Sequence, residues 1–357
     1  MFKIISFGIV GSGWRTEFYM RIAQALPNRF RVSGVVMRDE NKGLEFEAQW
    51  RVPTFRTIEQ LLEKTNFDFI VLSLPWEQLP IYIEKLAGLG VPVLSETPPA
   101  PTLDALNTLY KTIGPDAKVQ VAEQLALQPL HAARIAIANS GLLGTVSQAQ
   151  ISVAHGYHGI SLIRKFLNIS FEDARIHGYS FSTPIVEGPG RYGGPAEEKP
   201  SQSKQTVATL EFDGKIAIFD FTGDQYFSWI RSPRVLVRGD RGEIMNSQVK
   251  YLQDYQTPIE LELRRVNAGE GGNLEGYYHK GYLAGERWVY SNPFTPGSLS
   301  DDEIAIATCL EKMAAYANGG PSFYSLAEAS QDHYLGMMID RAVETREIIQ
   351  TNKQAWA

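Results

Sequence analysis

Hydrophobic and polar positions follow two rhythms along this chain. Over residues 1–123, short apolar runs alternate with segments of helical period. Phe2 to Phe7 reads as a strand. Phe18, Ile22 and Leu26 then recur every four positions with Tyr19 and Ala23 beside them, which predicts a helix with one buried stripe, broken at Pro27 and Asn28. Arg31 to Met37 alternates as a second strand. Thr57 to Gln60 has capping-box spacing and predicts a short helix through Leu62. Phe67 to Leu74 is almost wholly apolar, as expected of a central parallel strand covered on both faces. A helix over Ile81–Leu89, a strand over Val91–Ser95, a helix over Thr102–Ile113 and a strand over Lys118–Ala122 complete the series. This alternation predicts an α/β domain, a doubly wound parallel sheet of Rossmann type.

The rhythm changes after that. A helix is expected from Pro129 to Ser140, a strand from Val146 to Val153 and a helix from His155 to Leu167. Strands follow over Gln205–Phe212 and Lys215–Phe221, joined by the two-residue turn Asp213-Gly214. Val235–Arg238, Val249–Leu252 and Ile259–Arg265 continue them, and Ser300–Tyr316 and Leu326–Ile349 return to helical spacing. Consecutive hairpins predict a mostly antiparallel open sheet in an α+β domain. The expected division is residues 1–123 for nucleotide binding and 124–357 for substrate binding and oligomerisation, with the last helices packing back on the first domain. Pro184–Ser203 and Gly269–Gly285, rich in glycine and proline, are expected to be surface loops.

Composition narrows the function classes. The 357 residues are 44% hydrophobic and 21% charged with a net charge of −6, a globular composition with no basic field for nucleic acid or an anionic membrane. Cys309 is the single cysteine and is expected to be a buried helix residue, so an intrachain disulfide is excluded. The amino-terminal apolar run is too short and too early broken by glycines for a signal peptide, and the chain is expected to be cytoplasmic.

The chemistry starts at the first strand's end. Gly11-Ser12-Gly13-Trp14-Arg15 forms a glycine turn between strand and helix, where backbone N–H groups and the helix dipole favour a dinucleotide's phosphates. Thr16 stands where the third glycine of G-x-G-x-x-G is usual. At the second strand's end, Met37-Arg38-Asp39 offers Arg38 to a 2′-phosphate, favouring NADP, while Asp39 keeps NAD open. His155 and His158 share i, i+3 spacing without a local carboxylate or cysteine, so no metal is expected.

Leu94-Ser95-Glu96-Thr97-Pro98-Pro99-Ala100, the glycine turn, the strand ending Ser73-Leu74-Pro75 and the α+β second half together resemble the glucose–fructose oxidoreductase/inositol dehydrogenase (Gfo/Idh/MocA) family. The resemblance covers the whole length. It implies a sugar or polyol dehydrogenase using NAD or NADP. Thr97 occupies the position of the lysine in the family's Glu-Lys-Pro motif, and a hydroxyl can only hydrogen-bond or relay a proton there. Ala154 to Arg164 resembles the family's second motif. His158 falls on its catalytic histidine, with Ala154 and Ser161 in place of two aspartates. The resemblance implies catalytic roles for His158, Thr97 and Tyr157, with His155 able to share the task. It places Leu74, Pro75, Trp76, Glu96, Glu123 and Gln124 around ribose and nicotinamide, and Leu79 where many relatives have histidine. Arg191, Tyr192 and Arg231 are expected substrate contacts, and a homodimer or homotetramer is expected. Two alternatives stand beside the dehydrogenase: a non-catalytic nucleotide- or sugar-binding homologue, and an enzyme of transient oxidation that ends in elimination, epimerisation or glycoside cleavage.

Overall fold

The computed structural model describes residues 3–271 and 276–357. Phe2 of the first apolar run and residues 272–275 of the loop expected at Gly269–Gly285 lie outside the described residues.

Six strands form the first sheet: β1 (Ile5–Val10), β2 (Phe30–Val36), β3 (Thr54–Phe55), β4 (Phe69–Leu72), β5 (Val93–Ser95) and β6 (Val119–Val121). All pairings are parallel, in the order β3-β2-β1-β4-β5-β6, so the strand order reverses beside β1. Ligands of such sheets bind above the strand ends at that reversal. The intervening helices are α1 (Trp14–Ala25), α2 (Glu40–Trp50), α3 (Ile58–Lys64), α4 (Leu79–Gly88) and α5 (Leu103–Ile113). Periodicity does not predict α2, because its sequence is mostly polar and only Gly43 is fully buried. Its start is set by Asp39, whose carboxylate accepts from Lys42 N (3.1 Å).

The second half contains α6 (Pro129–Ala138), β7 (Val146–Ser152), α7 (Gly156–Leu167), β8 (Arg175–Val186), β9 (Pro200–Phe212), β10 (Lys215–Thr222), β11 (Arg234–Gly239), β12 (Gly242–Met245), β13 (Gln248–Leu252), β14 (Pro258–Ala268), β15 (Tyr278–Ala284), β16 (Arg287–Ser291), α8 (Asp301–Ala317), α9 (Leu326–Thr345) and β17 (Ile349–Gln350). The eleven-stranded sheet is mostly antiparallel, but β7 and β10 pair in parallel, making it mixed. Both expected loops are shortened. β8 and β9 run through Val186 and from Pro200, and pair along their length, leaving only residues 187–199 between them. Within Gly269–Gly285, β15 is held by β14 on one side and β16 on the other. Partners on both edges supply the hydrogen bonds that a glycine-rich strand needs, and composition carries no record of them.

α8 completes the first domain's core. Its Ile304, Ala307, Cys309, Leu310 and Met313 are fully buried in one cluster with Phe7, Ile9 and Tyr19. Arg21 on α1 donates to Glu303 at the start of α8 (2.7 Å). Gln120 on β6 accepts from Ser322 Oγ and from the amides of Phe323 and Tyr324 (2.9–3.0 Å), anchoring the approach to α9. α7 is tied to α9 by the buried pair Arg164–Asp332 (2.6 Å). α7 also lies close on the second sheet because Gly159 has no side chain. A Cβ there would stand 2.6 Å from Phe219 and 2.9 Å from Ala154 O. These ties fix the start of α7 against the ends of β5 and β6.

Candidate active site

A cavity of about 1130 Å³ lies between the two sheets. At its nucleotide end it is lined by Gly11, Ser12, Gly13, Trp14, Arg15, Met37, Arg38, Leu74, Pro75 and Trp76, and at the other by Glu96, Thr97, Gln124, His155, Tyr157 and His158. The fold brings every one of these sequence-selected residues to the lining of one cavity. Other expectations change. Glu123 is 2% exposed and does not line the cavity; it stands behind His158. Of the expected substrate contacts only Arg191 lines the cavity, while Tyr192 is 95% exposed and Arg231 lies away from the wall. Leu79 is fully buried at the start of α4, part of the core and not of the site.

The turn after β1 fits a dinucleotide. Gly11 has φ +119, and a Cβ there would stand 1.9 Å from Ser73 O, so only glycine lets β1 and β4 close together. Gly13 is the N-cap of α1 with no side-chain cap, and a Cβ on it would meet nothing within 4 Å. The space beside Gly13 is therefore open at the start of α1, where phosphate binding requires room. Thr16 replaces the usual glycine without obstructing the turn. Its buried hydroxyl lies 3.1 Å from Gly11 O and 3.2 Å from Ser73 Oγ, bracing the loop. Asp39, left open as a ribose ligand, instead caps α2, and Arg56 donates to Met37 O (2.9 Å) and Asp39 O (2.7 Å). Arg38 is the exposed charged side chain on that rim.

The floor is a fixed charge network. Glu96 accepts from the buried Tyr19 hydroxyl (2.5 Å) and lies 3.5 Å from Arg15 Nε. With its amide oriented to satisfy both neighbours, Gln124 donates to Ala122 O (2.8 Å) and accepts from Arg15 Nη2 (3.2 Å). The Arg15 guanidinium sits over Trp14 at 4.6 Å, and Arg191 from the 187–199 loop sits over the same ring at 4.1 Å. Each contact is a cation–π attraction.

At the second domain's edge His158 Nδ1 lies 2.6 Å from Glu123 Oε2. Glu123's other oxygen accepts from Leu125 N (3.0 Å), so the carboxylate is held from both sides. Such a pairing puts the imidazole proton on Nδ1 and leaves Nε2 as the basic nitrogen. Tyr157 stacks tilted on His158, with ring centres 4.4 Å apart; burial raises its pKa, and the neighbouring Thr97 hydroxyl pulls it back partway. His155 Nδ1 lies 2.6 Å from Tyr226 Oη. Burial, then repulsion from His158, holds His155 down to about 4, so it is neutral near pH 7. No sequence pattern singles out Tyr226, which approaches from the exit of β10. Among the described residues no cluster of three or more His, Cys, Asp or Glu forms a metal site.

His131, a further cavity residue not singled out by sequence, is 6% exposed; burial and then Arg134 hold its pKa down to about 3 from the ordinary 6.5. Below pH 6.5 the unfolded chain takes up a proton that the folded chain refuses until about pH 3. His131 therefore contributes stability fully above that window and loses it as pH falls, at about 1.4 kcal/mol per pH unit. Calorimetric unfolding of His131→Gln is expected to show a flatter decline between pH 6 and 4 than wild type; equal slopes would assign the acid sensitivity elsewhere.

Comparisons with known proteins agree with this architecture. Residues 5–122 match the family model described as an oxidoreductase family with an NAD-binding Rossmann fold. An uncharacterised Saccharomyces cerevisiae protein, YMR315W, is 27% identical over 111 residues, covering 30% of this chain and 32% of the yeast protein. The chain thus matches about a third of the length of that curated relative. Levoglucosan dehydrogenase in complex with NADH and levoglucosan has the same fold, with TM-score 0.71, 13% identity and coverage of 98% of this chain and 100% of that one. The myo-inositol dehydrogenase of Corynebacterium glutamicum gives TM-score 0.66 at 12% identity, covering 98% and 100%. A putative NADPH-dependent oxidoreductase from Desulfitobacterium hafniense gives 0.66 at 14%, covering 98% of each chain.

Proposed function

Since this chain belongs, through residues 5–122, to the Gfo/Idh/MocA oxidoreductase family, we propose that it is an NAD(P)-dependent dehydrogenase of a sugar, sugar derivative or polyol. The observation that carries this reading is the Glu123–His158 contact of 2.6 Å at the edge of a cavity that also contains the glycine turn. A carboxylate-oriented imidazole on that wall is placed to accept a proton. The bound nicotinamide supplies the two-electron chemistry by accepting or giving a hydride. The chain's own residues handle the rest. In the oxidative direction His158 Nε2 takes the hydroxyl proton as the alcohol becomes a carbonyl. Thr97 and Tyr157, which lie side by side, hydrogen-bond the same oxygen and hold it toward His158. In reduction the proton returns by the same path.

The Glu123–His158 contact favours this reading over a non-catalytic homologue. NADP is the favoured cofactor, because Asp39 is engaged as a helix cap and Arg38 is left on the rim. Arg38→Ala is expected to weaken NADPH binding about tenfold, the loss of one charge-assisted contact, and to leave NADH binding unchanged. Titration by nicotinamide fluorescence reads both; equal loss for the two cofactors would remove Arg38 from cofactor choice. Self-association through the second sheet belongs to the same reading, since Tyr179 and Phe181 stack at 6.3 Å and remain 52% and 43% exposed.

The test of the function is a screen of cyclic polyols, aldoses and their oxidised forms for cofactor reduction or oxidation, after a fluorescence titration with NADPH and NADH. Turnover on a member of this panel is the expected result. Tight cofactor binding without turnover on any of them would favour the binding-protein alternative.

A further inference from the structure

Arg134 is a buried cation that the hydride chemistry does not use. It lies on α6 with Leu130 and His131, where the three side chains line the cavity together with Val153 and Pro233. The residue is 6% exposed. Its Nε donates to Asn246 O (2.7 Å) and its Nη1 to His131 Nδ1 (3.2 Å). No carboxylate pairs with it among the described residues. Burial holds its pKa down to about 10, opposed by the nearby Tyr282 hydroxyl. The cavity's own acids are engaged elsewhere: Asp301 takes both terminal nitrogens of Arg265 (2.7 and 2.8 Å), and Asp302 accepts from Gln128 (2.6 Å). A buried charge without a counter-ion is strongly unfavourable, so a fold that keeps one has a use for it.

The remaining donors point to that use. Because His131 Nδ1 accepts from Arg134, the imidazole proton resides on Nε2. Neither His131 Nε2 nor Arg134 Nη2 has a hydrogen-bond partner among the described residues. The sealed side-chain polar atoms lacking partners there are His279 Nδ1, Tyr290 Oη and Ser330 Oγ. The two donors on α6 are not among these, so both are reached from the cavity. Arg134 Nη2 is the charged donor of the two, and its single positive charge is balanced by the single negative charge of a carboxylate. A phosphate dianion would keep one charge uncompensated.

We infer that Arg134 Nη2 binds a carboxylate on the substrate, so that this enzyme acts on a sugar acid in preference to the neutral sugar. The assignment rests on the dehydrogenase reading for its meaning in turnover, but the binding step is measurable without it.

Calorimetric titration compares matched pairs: D-glucose with D-glucuronate and D-galactose with D-galacturonate, with D-glucose 6-phosphate as the phosphate arm. Wild-type protein, with and without NADPH, is expected to bind at least one acid roughly 10- to 100-fold more tightly than its neutral partner, the range of a charge-assisted contact. Arg134→Met should abolish that preference and leave neutral-sugar and NADPH affinities unchanged; Arg134→Lys, which keeps the charge, should restore part of it. Equal binding of acid and neutral partners by wild type, or no binding of any acid in the panel, overturns the assignment. Tighter binding of the phosphate than of the acids also overturns it, in favour of a phosphorylated substrate. The wild-type comparison stands even if the methionine variant fails to fold. A separate NADPH titration by fluorescence reads the dehydrogenase proposal, so failure there is distinguishable from failure of the carboxylate site.

Discussion

Replacing His158 with alanine is expected to lower kcat on the best substrate by roughly 100- to 10,000-fold, the range for loss of a general acid–base, with NADPH affinity unchanged. The separation follows from position. His158 lies at the start of α7 in the second domain, while the glycine turn and Arg38 rim belong to the first sheet. Glu123→Gln is the companion variant. It keeps the side chain's size but removes the charge that orients the imidazole. A smaller fall in kcat is expected there. Steady-state kinetics across pH with both variants settles the matter: an unaltered kcat in His158→Ala would move proton transfer to Tyr157 or another group.

Substituting Gly11 with alanine is expected to damage both fold and cofactor site. The residue has φ +119, and the added Cβ would lie 1.9 Å from Ser73 O and 2.7 Å from Ser73 C. Both are backbone atoms, so no side-chain rotation relieves the contact. Strain of about 1–3 kcal/mol from the dihedral alone comes on top of the separation of β1 from β4. A lowered Tm is expected, together with at least about tenfold weaker NADPH binding. Gly13→Ala is the informative control, because its Cβ meets nothing in the protein within 4 Å. It should retain wild-type Tm and still weaken NADPH, since the methyl group occupies the approach to the phosphates. Wild-type affinity in Gly13→Ala would remove the dinucleotide from this turn.

Most of the first domain was legible because its signals are local. Phe67–Leu74 is apolar enough to be a central strand in any context, and the glycine turn follows its strand directly. His158 was found because its motif is contiguous. The missed elements have a different character. α2 has too little apolar surface to show a stripe, and the sequence leaves Asp39, which caps it, open to a ribose hydroxyl. β15 contains glycines that read as a loop, yet it is held by neighbours on both edges. The resemblance implies that Glu123 faces the cofactor, and nothing in a linear pattern brings residue 123 behind residue 158.

Sequence by itself determined most of the first domain's strands and helices, that a dinucleotide-type turn ends the first strand, and which residues of the cavity wall come from contiguous motifs. Tertiary structure alone decided the chemistry of the second half of the site. The Glu123–His158 contact, the Tyr226–His155 contact and the burial of Arg134 beside His131 each depend on how α6, α7 and the second sheet dock beneath β5 and β6. The physical reason is range: hydrophobic period and turn chemistry act between residues a few positions apart, whereas desolvation and charge pairing depend on which distant surfaces close over a group and exclude water from it.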